Sequence, residues 1–329
     1  DCDCIFPVID DIPILFDWSS KNYQLEKPFL EDLLIEVSKF PHEDVSEMIV
    51  QKNLLRIEEQ KDSQVWEWED EAFWSDAYAA EMSSNTQKDW SLTEKLRAPV
   101  KQFFSENHIA SGVILDVGCG EGQNFRNYIK ENVNETVEYI AVDVSLNALK
   151  LNRSRNLHTK SRYILASADN LPFQLKSIDI MCFFGILHHT QGKNLALKRA
   201  LKILKTSGLF IIHEALVKPN PSDYLWFLQK KLGEESAHEE RIERHELYEF
   251  LNQNNIRCLF RSEFFTIFFG LFRRFIQKKG ILQQVLFKPI LLFDKFIAKS
   301  LGKILPFFSS SDIIFIGKYR NDVDIVSRN

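Results

Sequence analysis

The chain has 329 residues, of which 45% are hydrophobic, so it can bury at least one sizeable core. Its formal net charge of -5 argues against a dedicated nucleic-acid binder, which normally carries a basic surface. Only two of its five cysteines are close in sequence, which is not the pattern of a disulfide framework and indicates a reducing compartment. We therefore expect a cytoplasmic protein with one main domain and additions.

The N-terminal part of the chain is acidic. Residues 1–20 predict a short strand pair, and residues 1–95 together hold 23 Asp and Glu against 8 Lys and Arg. Apolar residues recur at spacings of three and four between residues 28 and 60, which is typical of amphipathic helices. We interpret residues 21–95 as an acidic helical extension that precedes the main domain.

Residues 96–214 alternate strand-like and helix-like segments, the pattern of an α/β fold with a doubly wound sheet. The predicted strands are Val113–Val117, Tyr139–Val142, Ser161–Leu165, Ile178–Phe184 and Leu209–His213. The predicted helices between them are Gly122–Glu131, Ser145–Arg153 and Lys193–Leu204. In such a sheet the residues that follow the strands meet at one edge, where ligands bind.

A glycine-rich turn follows the first of these strands, in the sequence VILDVGCGEGQNF at 113–125. Gly118, Gly120 and Gly122 let the backbone turn sharply and approach a ligand closely. Asp116 lies two positions before the first glycine, where a carboxylate would repel a pyrophosphate but would suit a cationic ligand. The turn therefore favours a ligand with an amino or sulfonium group over a dinucleotide.

Polar and aromatic residues follow the next strands. Asp143 ends the second strand, where its carboxylate could accept both hydroxyls of a ribose, and a helix N-cap is the alternative role. Asp169 and Asn170 follow the third strand and could hydrogen-bond to an adenine amino group. Phe184 ends the fourth strand. The adjacent histidines after it lack Cys or Glu at ligand spacing, so we predict no metal site.

The ordered set DVGCGEG, AVDVS, SADNLPF and FGILHH, followed by ALKILKTSGLFIIHE at 200–214, resembles class I S-adenosylmethionine-dependent methyltransferases. The resemblance is to the ubiquinone and menaquinone biosynthesis group in particular. It implies a Rossmann-like, mostly parallel sheet with an antiparallel last strand, and S-adenosylmethionine as cofactor. One departure is Thr206-Ser207 before Gly208, where the family usually has Pro-Gly.

The resemblance also implies which residues bind the cofactor. Those expected to contact it are Asp116, Gly118, Cys119 and Gly120 at the methionine part, Asp143 at the ribose, Val144, Ala168, Asp169 and Asn170 around the adenine, and Phe184 at the pocket floor. A sulfonium methyl is already a strong electrophile, so many such enzymes need little acid or base help. If a base is required, the candidates after the fourth and fifth strands are His188, His189, His213 and Glu214. Each of these residues could equally have a purely structural role.

The first residues, CDCIFPVIDDIPILF, resemble the end of a small zinc-ribbon module, with Asp11 in place of the usual glycine. Such a ribbon needs four ligands, and only Cys2 and Cys4 are present, so we predict no bound zinc. We interpret residues 1–20 as a remnant of that module.

The C-terminal part is expected to determine specificity. Residues 215–255 predict a substrate-covering insertion, and residues 256–329 predict two further strands, the last at Ile313–Lys318. Between those strands, residues 271–306 hold eight basic residues and one acid among many apolar ones. The segment is too interrupted to span a bilayer, and two interpretations stay open: a helix on an anionic membrane surface, or a helical lid.

The sequence thus predicts methyl transfer to a small-molecule or lipid-linked acceptor, with no nucleic-acid partner. Two alternative functions remain. A methyltransferase-fold scaffold without activity is disfavoured because every expected cofactor contact is present. A nicotinamide-dependent oxidoreductase is disfavoured by Asp116 and by the SADNLPF element.

Overall fold

The computed structural model of the chain describes a set of residues centred on the predicted main domain. They are residues 8–9, 11–13, 15, 98–156, 158–168, 171–190, 193–217, 242–264, 289, 293, 296 and 312–319. The predicted acidic extension over 21–95, most of the insertion over 215–255 and nearly all of the basic segment over 271–306 lie outside them.

A single twisted sheet forms the centre of the domain. Its strands are β3 (Val113–Val117), β4 (Glu138–Asp143), β5 (Ser161–Leu165), β6 (Ile178–Phe184), β7 (Leu204–Val217), β9 (Ile256–Phe264) and β10 (Asp312–Tyr319). The strand order is β5-β4-β3-β6-β7-β10-β9, with the two-residue β8 (Ile242–Glu243) joined to β7. Strands β3 to β7 pair in parallel, whereas β10 is antiparallel to both β7 and β9. The predicted doubly wound α/β fold with an antiparallel last strand is confirmed.

The helices agree closely with the predicted ones. Residues 98–106 form α1, Leu146–Arg155 α2, Lys193–Ile203 α3 and Arg244–Gln253 α4. The helix predicted from Gly122 begins one residue later and contains a π-helical stretch at Phe125–Ile129. Ser145 is the N-cap of α2, its hydroxyl accepting from the Ala148 N–H at 3.2 Å, so the alternative role of Asp143 as that cap is wrong.

Both faces of the sheet are buried, which is why its strands are almost uniformly apolar. On one face Ile114 and Tyr139 pack with Phe104 of α1 and Leu149 of α2. On the other face the alternate strand residues pack against α3 and α4; they include Leu115, Val117, Phe183 and Ile212. Successive residues of one strand therefore contribute to different cores.

Strand β7 begins five residues before the predicted strand because it includes the Thr206-Ser207-Gly208 segment. Ser207 has a φ of 68°, in the left-handed region that favours glycine. The pairing with β6 shifts register at this point, between Ile178 and Ile180. Where the family usually has Pro-Gly, this chain therefore has a strained serine in an irregular part of the strand. This part lies at the edge of the sheet opposite to the strand ends that carry the candidate residues.

The N-terminal residues pack against the domain. Strands β1 (Val8–Ile9) and β2 (Ile12–Pro13) form an antiparallel hairpin, as the sequence predicts. Ile12 is fully buried in the core beside α1 and α2, and the Leu15 N–H donates to the Leu165 carbonyl of edge strand β5 at 2.8 Å. Cys2 and Cys4 lie outside the described residues, so the zinc-ribbon resemblance stays a prediction.

The hairpin should contribute to the stability of the whole domain. We expect Ile12→Ala to lower the free energy of unfolding by about 2–4 kcal/mol, because it leaves a cavity in a filled core. The matched Val8→Ala, at the half-exposed other end of the hairpin, should change it by less than about 0.5 kcal/mol. Urea unfolding of both variants measures the difference, and equal effects would contradict the observed docking.

Candidate functional site

The carboxyl ends of β3 and β6 form the point at which the strand order reverses. From β3 the chain continues to β4 and β5 on one side, whereas β6 and β7 lie on the other side. The turns after β3 and β6 therefore run to opposite sides and leave a crevice, where open α/β sheets bind their ligands. At its base the two turns touch, because a Cβ on Gly118 would overlap the side chain of Ile186.

The glycine turn is held to the neighbouring strand by its own backbone. The N–H groups of Gly118 and Cys119 donate to the Val142 carbonyl at 2.8 and 3.1 Å. The Gly120 N–H donates to Oδ2 of Asp143 at 2.7 Å. These bonds fix the Asp143 carboxylate directly beside the turn.

The three glycines of the turn have different surroundings, although all have positive φ. A Cβ on Gly118 would overlap Ile186, and a Cβ on Gly122 would overlap the Asn152 side chain. Among the residues that the structure describes, a Cβ on Gly120 would meet nothing within 4 Å. Gly118 and Gly122 are therefore required by packing of the protein itself, whereas Gly120 faces open space that a ligand can occupy.

Asp143 combines burial with several backbone donors. Its Oδ1 accepts from the Ser145 N–H at 2.9 Å, and Oδ2 accepts from Gly120. Burial raises the pKa of the Asp143 carboxyl, and the N–H donors of Ser145, Gly120 and Val144 oppose that rise. Each carboxylate oxygen has two acceptor positions, so the three N–H donors leave one position for a hydroxyl.

Asp116 lies beneath the turn rather than in the crevice. It is fully buried, and its Oδ2 accepts from the Tyr139 hydroxyl at 3.1 Å. Asn152 joins this network by donating to the Tyr139 hydroxyl and to Sγ of Cys119, each at 3.4 Å. A direct contact between Asp116 and a cation on the cofactor stays a prediction.

The same network controls the ionisation of its members. Burial and the Asp116 carboxylate raise the pKa of Tyr139 well above its usual range. Burial, followed by the Asp143 and Asp116 carboxylates, does the same for the Cys119 thiol. The raised pKa disfavours the thiolate of Cys119, which is the nucleophilic form of the side chain.

The residues expected around the adenine are only partly described. Val144 is 39% exposed and follows Asp143 directly. Ala168 is buried after β5, and Phe184 is buried at the end of β6. Asp169 and Asn170 lie outside the described residues.

The four candidate bases separate into distinct environments. Oε1 of Glu214 accepts from the N–H groups of Ile186 and Leu187 at 2.6 and 2.7 Å, and Oε2 lies 2.8 Å from Nδ1 of His188. His213 is buried and precedes Glu214 in β7, so its side chain lies on the other face of the sheet. The side chain of His189 is not among those described. The structure thus joins Glu214 to His188 and separates both from His213.

Within the described part of the chain, no group of three His, Cys, Asp or Glu side chains is arranged to hold a metal ion.

Comparison with known proteins agrees with this geometry. Residues 115–212 match the model of a family described as a methyltransferase domain. This part of the chain is similar to a methyltransferase domain. It contains the glycine turn, Asp143 and the end of β6, so the family match covers the whole described crevice.

Curated relatives match this domain and its immediate surroundings. An uncharacterized protein of Methanocaldococcus jannaschii is 32% identical over 36% of this chain and 41% of its own length. A probable tRNA methyltransferase 9B of Bos taurus is 27% identical over 43% of this chain and 27% of its own. A tRNA (carboxymethyluridine(34)-5-O)-methyltransferase of Arabidopsis thaliana is 26% identical over 42% and 30%. The chain therefore spans less than half the length of these relatives.

Two solved structures can be set beside the domain. The YcgJ protein of Bacillus subtilis covers 68% of this chain and 99% of its own, at 15% identity and a TM-score of 0.48. The geranyl diphosphate C-methyltransferase of Streptomyces coelicolor covers 68% and 77%, at 12% identity and a TM-score of 0.46.

The different surroundings of the glycines make a testable distinction. We expect Gly120→Ala to fold, at a cost of about 1 kcal/mol for its positive φ, and to weaken S-adenosylhomocysteine binding at least about tenfold, since the methyl group occupies ligand space. Gly122→Ala should instead lower stability by about 2 kcal/mol or more, because Asn152 must move.

Calorimetric titration and urea unfolding separate the two effects. Wild-type affinity in folded Gly120→Ala would show that the open space beside Gly120 is not a binding site.

Proposed function

We propose that this chain transfers a methyl group from S-adenosylmethionine to an acceptor bound at the crevice between β3 and β6. One observation carries the proposal: the open face of Gly120 lies directly beside the Asp143 carboxylate, at the topological switch point. The match of residues 115–212 to a methyltransferase domain supports the choice of cofactor.

The residues of the crevice suit the parts of this cofactor. Asp143 would accept a ribose hydroxyl with its remaining acceptor position. Val144, already exposed beside it, would cover the adenine, with Ala168, Asp169 and Asn170 along its edge. The turn at Gly118, Cys119 and Gly120 would hold the methionine part, and Phe184 would close the floor. Asp116 would act on the cofactor's positive charge from below the turn.

The cofactor supplies the electrophilic methyl group, so the protein's task is alignment. A rigid turn fixed by backbone bonds to Val142 and Asp143 provides a preformed site for it. Holding donor and acceptor in line turns a bimolecular encounter into an effectively unimolecular step. We therefore expect most of the rate acceleration to come from alignment of the two reactants in the crevice.

The acceptor we favour is a small molecule or a lipid-linked molecule. Two helical residues of the basic segment 271–306, Phe293 and Phe296, are 49% and 64% exposed. Exposed aromatic side chains in a basic segment support contact with an anionic membrane surface. No helix among the described residues is long and apolar enough to cross a membrane. We propose a cytoplasmic protein that can associate with membranes peripherally.

A tRNA acceptor is the second candidate, because two of the relatives above are named as tRNA methyltransferases. The sequence-based expectation that no nucleic acid is bound therefore needs its own test. Incubating the chain with methyl-labelled S-adenosylmethionine and, separately, total tRNA, a lipid extract and a small-molecule extract identifies the acceptor class. Label in tRNA alone would contradict the small-molecule and lipid proposal.

The ribose contact gives the second binding prediction. We expect Asp143→Asn to weaken S-adenosylhomocysteine binding by at least about 30-fold, because hydrogen bonds to a charged acceptor contribute about 1.5–3 kcal/mol each. The asparagine oxygen can still accept one backbone N–H, so the fold should persist. Calorimetry measures the affinity.

The control is the same chemical change elsewhere. Asp11→Asn removes an exposed carboxylate that is ion-paired with Arg153 at 2.9 Å, and it should leave the affinity unchanged. Heat with NAD and none with S-adenosylhomocysteine in the wild-type chain would replace the methyltransferase proposal with the oxidoreductase one. No binding of either ligand would favour a scaffold.

A further inference from the structure

A buried carboxylate on β7 organises the turn that follows β6. Oε1 of Glu214 accepts two backbone N–H groups of that turn, from Ile186 and Leu187, and Oε2 contacts Nδ1 of His188 at 2.8 Å. The Glu214 side chain has no solvent-exposed area, whereas that of His188 is 16% exposed. The pair thus consists of an inner carboxylate and an outer imidazole.

Glu214 is poorly placed to act as a base itself. Its two oxygens already engage three donors, and its full burial keeps it from an acceptor molecule in the crevice. What it can do is determine how the imidazole is protonated. A carboxylate only accepts hydrogen bonds, so the neutral ring carries its hydrogen on Nδ1 and its lone pair on Nε2.

His188 belongs to the β6 wall of the crevice. Its turn begins at Gly185, whose N–H donates to the His213 carbonyl at 2.8 Å, and it touches the glycine turn where Ile186 packs over Gly118. His188 therefore closely follows Ile186, at which the two turns that bound the proposed cofactor site touch. An acceptor aligned with the methyl group must approach through this crevice.

We infer that His188 is the general base of the reaction, that Glu214 is its positioning residue, and that the methyl acceptor is a nucleophile carrying a proton, such as a hydroxyl, an amine or an acidic carbon. The inference rests on the proposed methyl transfer. A carboxylate acceptor, by contrast, would already be ionised and would need no base.

The step balances without a further reactant. The acceptor's electron pair forms the new bond to the methyl carbon, the carbon–sulfur bond breaks with its pair passing to sulfur, and the acceptor's proton passes to Nε2 of His188. The adjacent Glu214 carboxylate stabilises the resulting imidazolium. Solvent then removes the proton from the exposed edge of the ring.

The tautomer of His188 is the first test. In the full chain labelled with ¹⁵N-histidine, we expect the His188 ring, assigned by its loss in His188→Gln, to carry hydrogen on Nδ1. Glu214→Gln keeps an oxygen for the backbone N–H groups but turns an amide donor towards Nδ1, so the hydrogen should move to Nε2. A wild-type ring with hydrogen on Nε2 would overturn the inference.

Methyl transfer to the acceptor pool that the wild-type chain labels is the second test. We expect His188→Gln to lower the rate by roughly 10²- to 10⁴-fold, with S-adenosylhomocysteine affinity changed less than about threefold. His188→Ala should regain activity when imidazole is added. His108→Gln, an exposed histidine at the opposite edge of the sheet, is the matched control and should retain the wild-type rate.

The outcomes separate this inference from the proposed function. A wild-type rate in His188→Gln, or a loss that imidazole does not restore, would overturn the role of His188 and leave the methyltransferase proposal intact. Failure of the wild-type chain to bind S-adenosylhomocysteine or to label any pool would contradict the proposed function itself.

Discussion

The hydrogen bonds between the glycine turn and strand β4 are the constraint on which the site depends. Gly118 and Cys119 donate to the Val142 carbonyl, and Gly120 donates to the Asp143 carboxylate. These bonds hold a largely buried carboxyl side chain next to a backbone stretch that has open space beside it among the described residues. Burial raises the pKa of that carboxyl and the backbone donors oppose part of the rise, so the turn stabilises the carboxylate that we propose as the ribose acceptor.

Because side chains alternate along the strands, the two faces of the sheet carry different polar groups. One face of the sheet carries the buried network of Asp116, Tyr139 and Asn152, which supports the glycine turn from below. The other face carries Glu214, which organises the turn after β6. Both turns meet at the switch point, so the proposed cofactor site and the proposed base are supported from opposite faces of one sheet.

Much of the fold could be predicted from the sequence, because buried parallel strands are continuous apolar runs and the glycine turn has a distinctive spacing. The burial of Asp116 could not be predicted, because an acidic residue before a glycine gives no sign of the Tyr139 hydroxyl that donates a hydrogen bond to it. Nor could the pairing of Glu214 with His188, which depends on β6 and β7 being neighbours. The irregular start of β7 at Ser207 was missed because a serine gives no signal of positive φ.

The central claim is that S-adenosylmethionine binds at the carboxyl ends of β3 and β4. A crystal structure of the full chain with S-adenosylhomocysteine tests it most directly. We expect a ribose hydroxyl within hydrogen-bond distance of an Asp143 oxygen and the methionine part against Gly120. A ligand bound elsewhere on the chain, or with its ribose away from Asp143, would contradict the account.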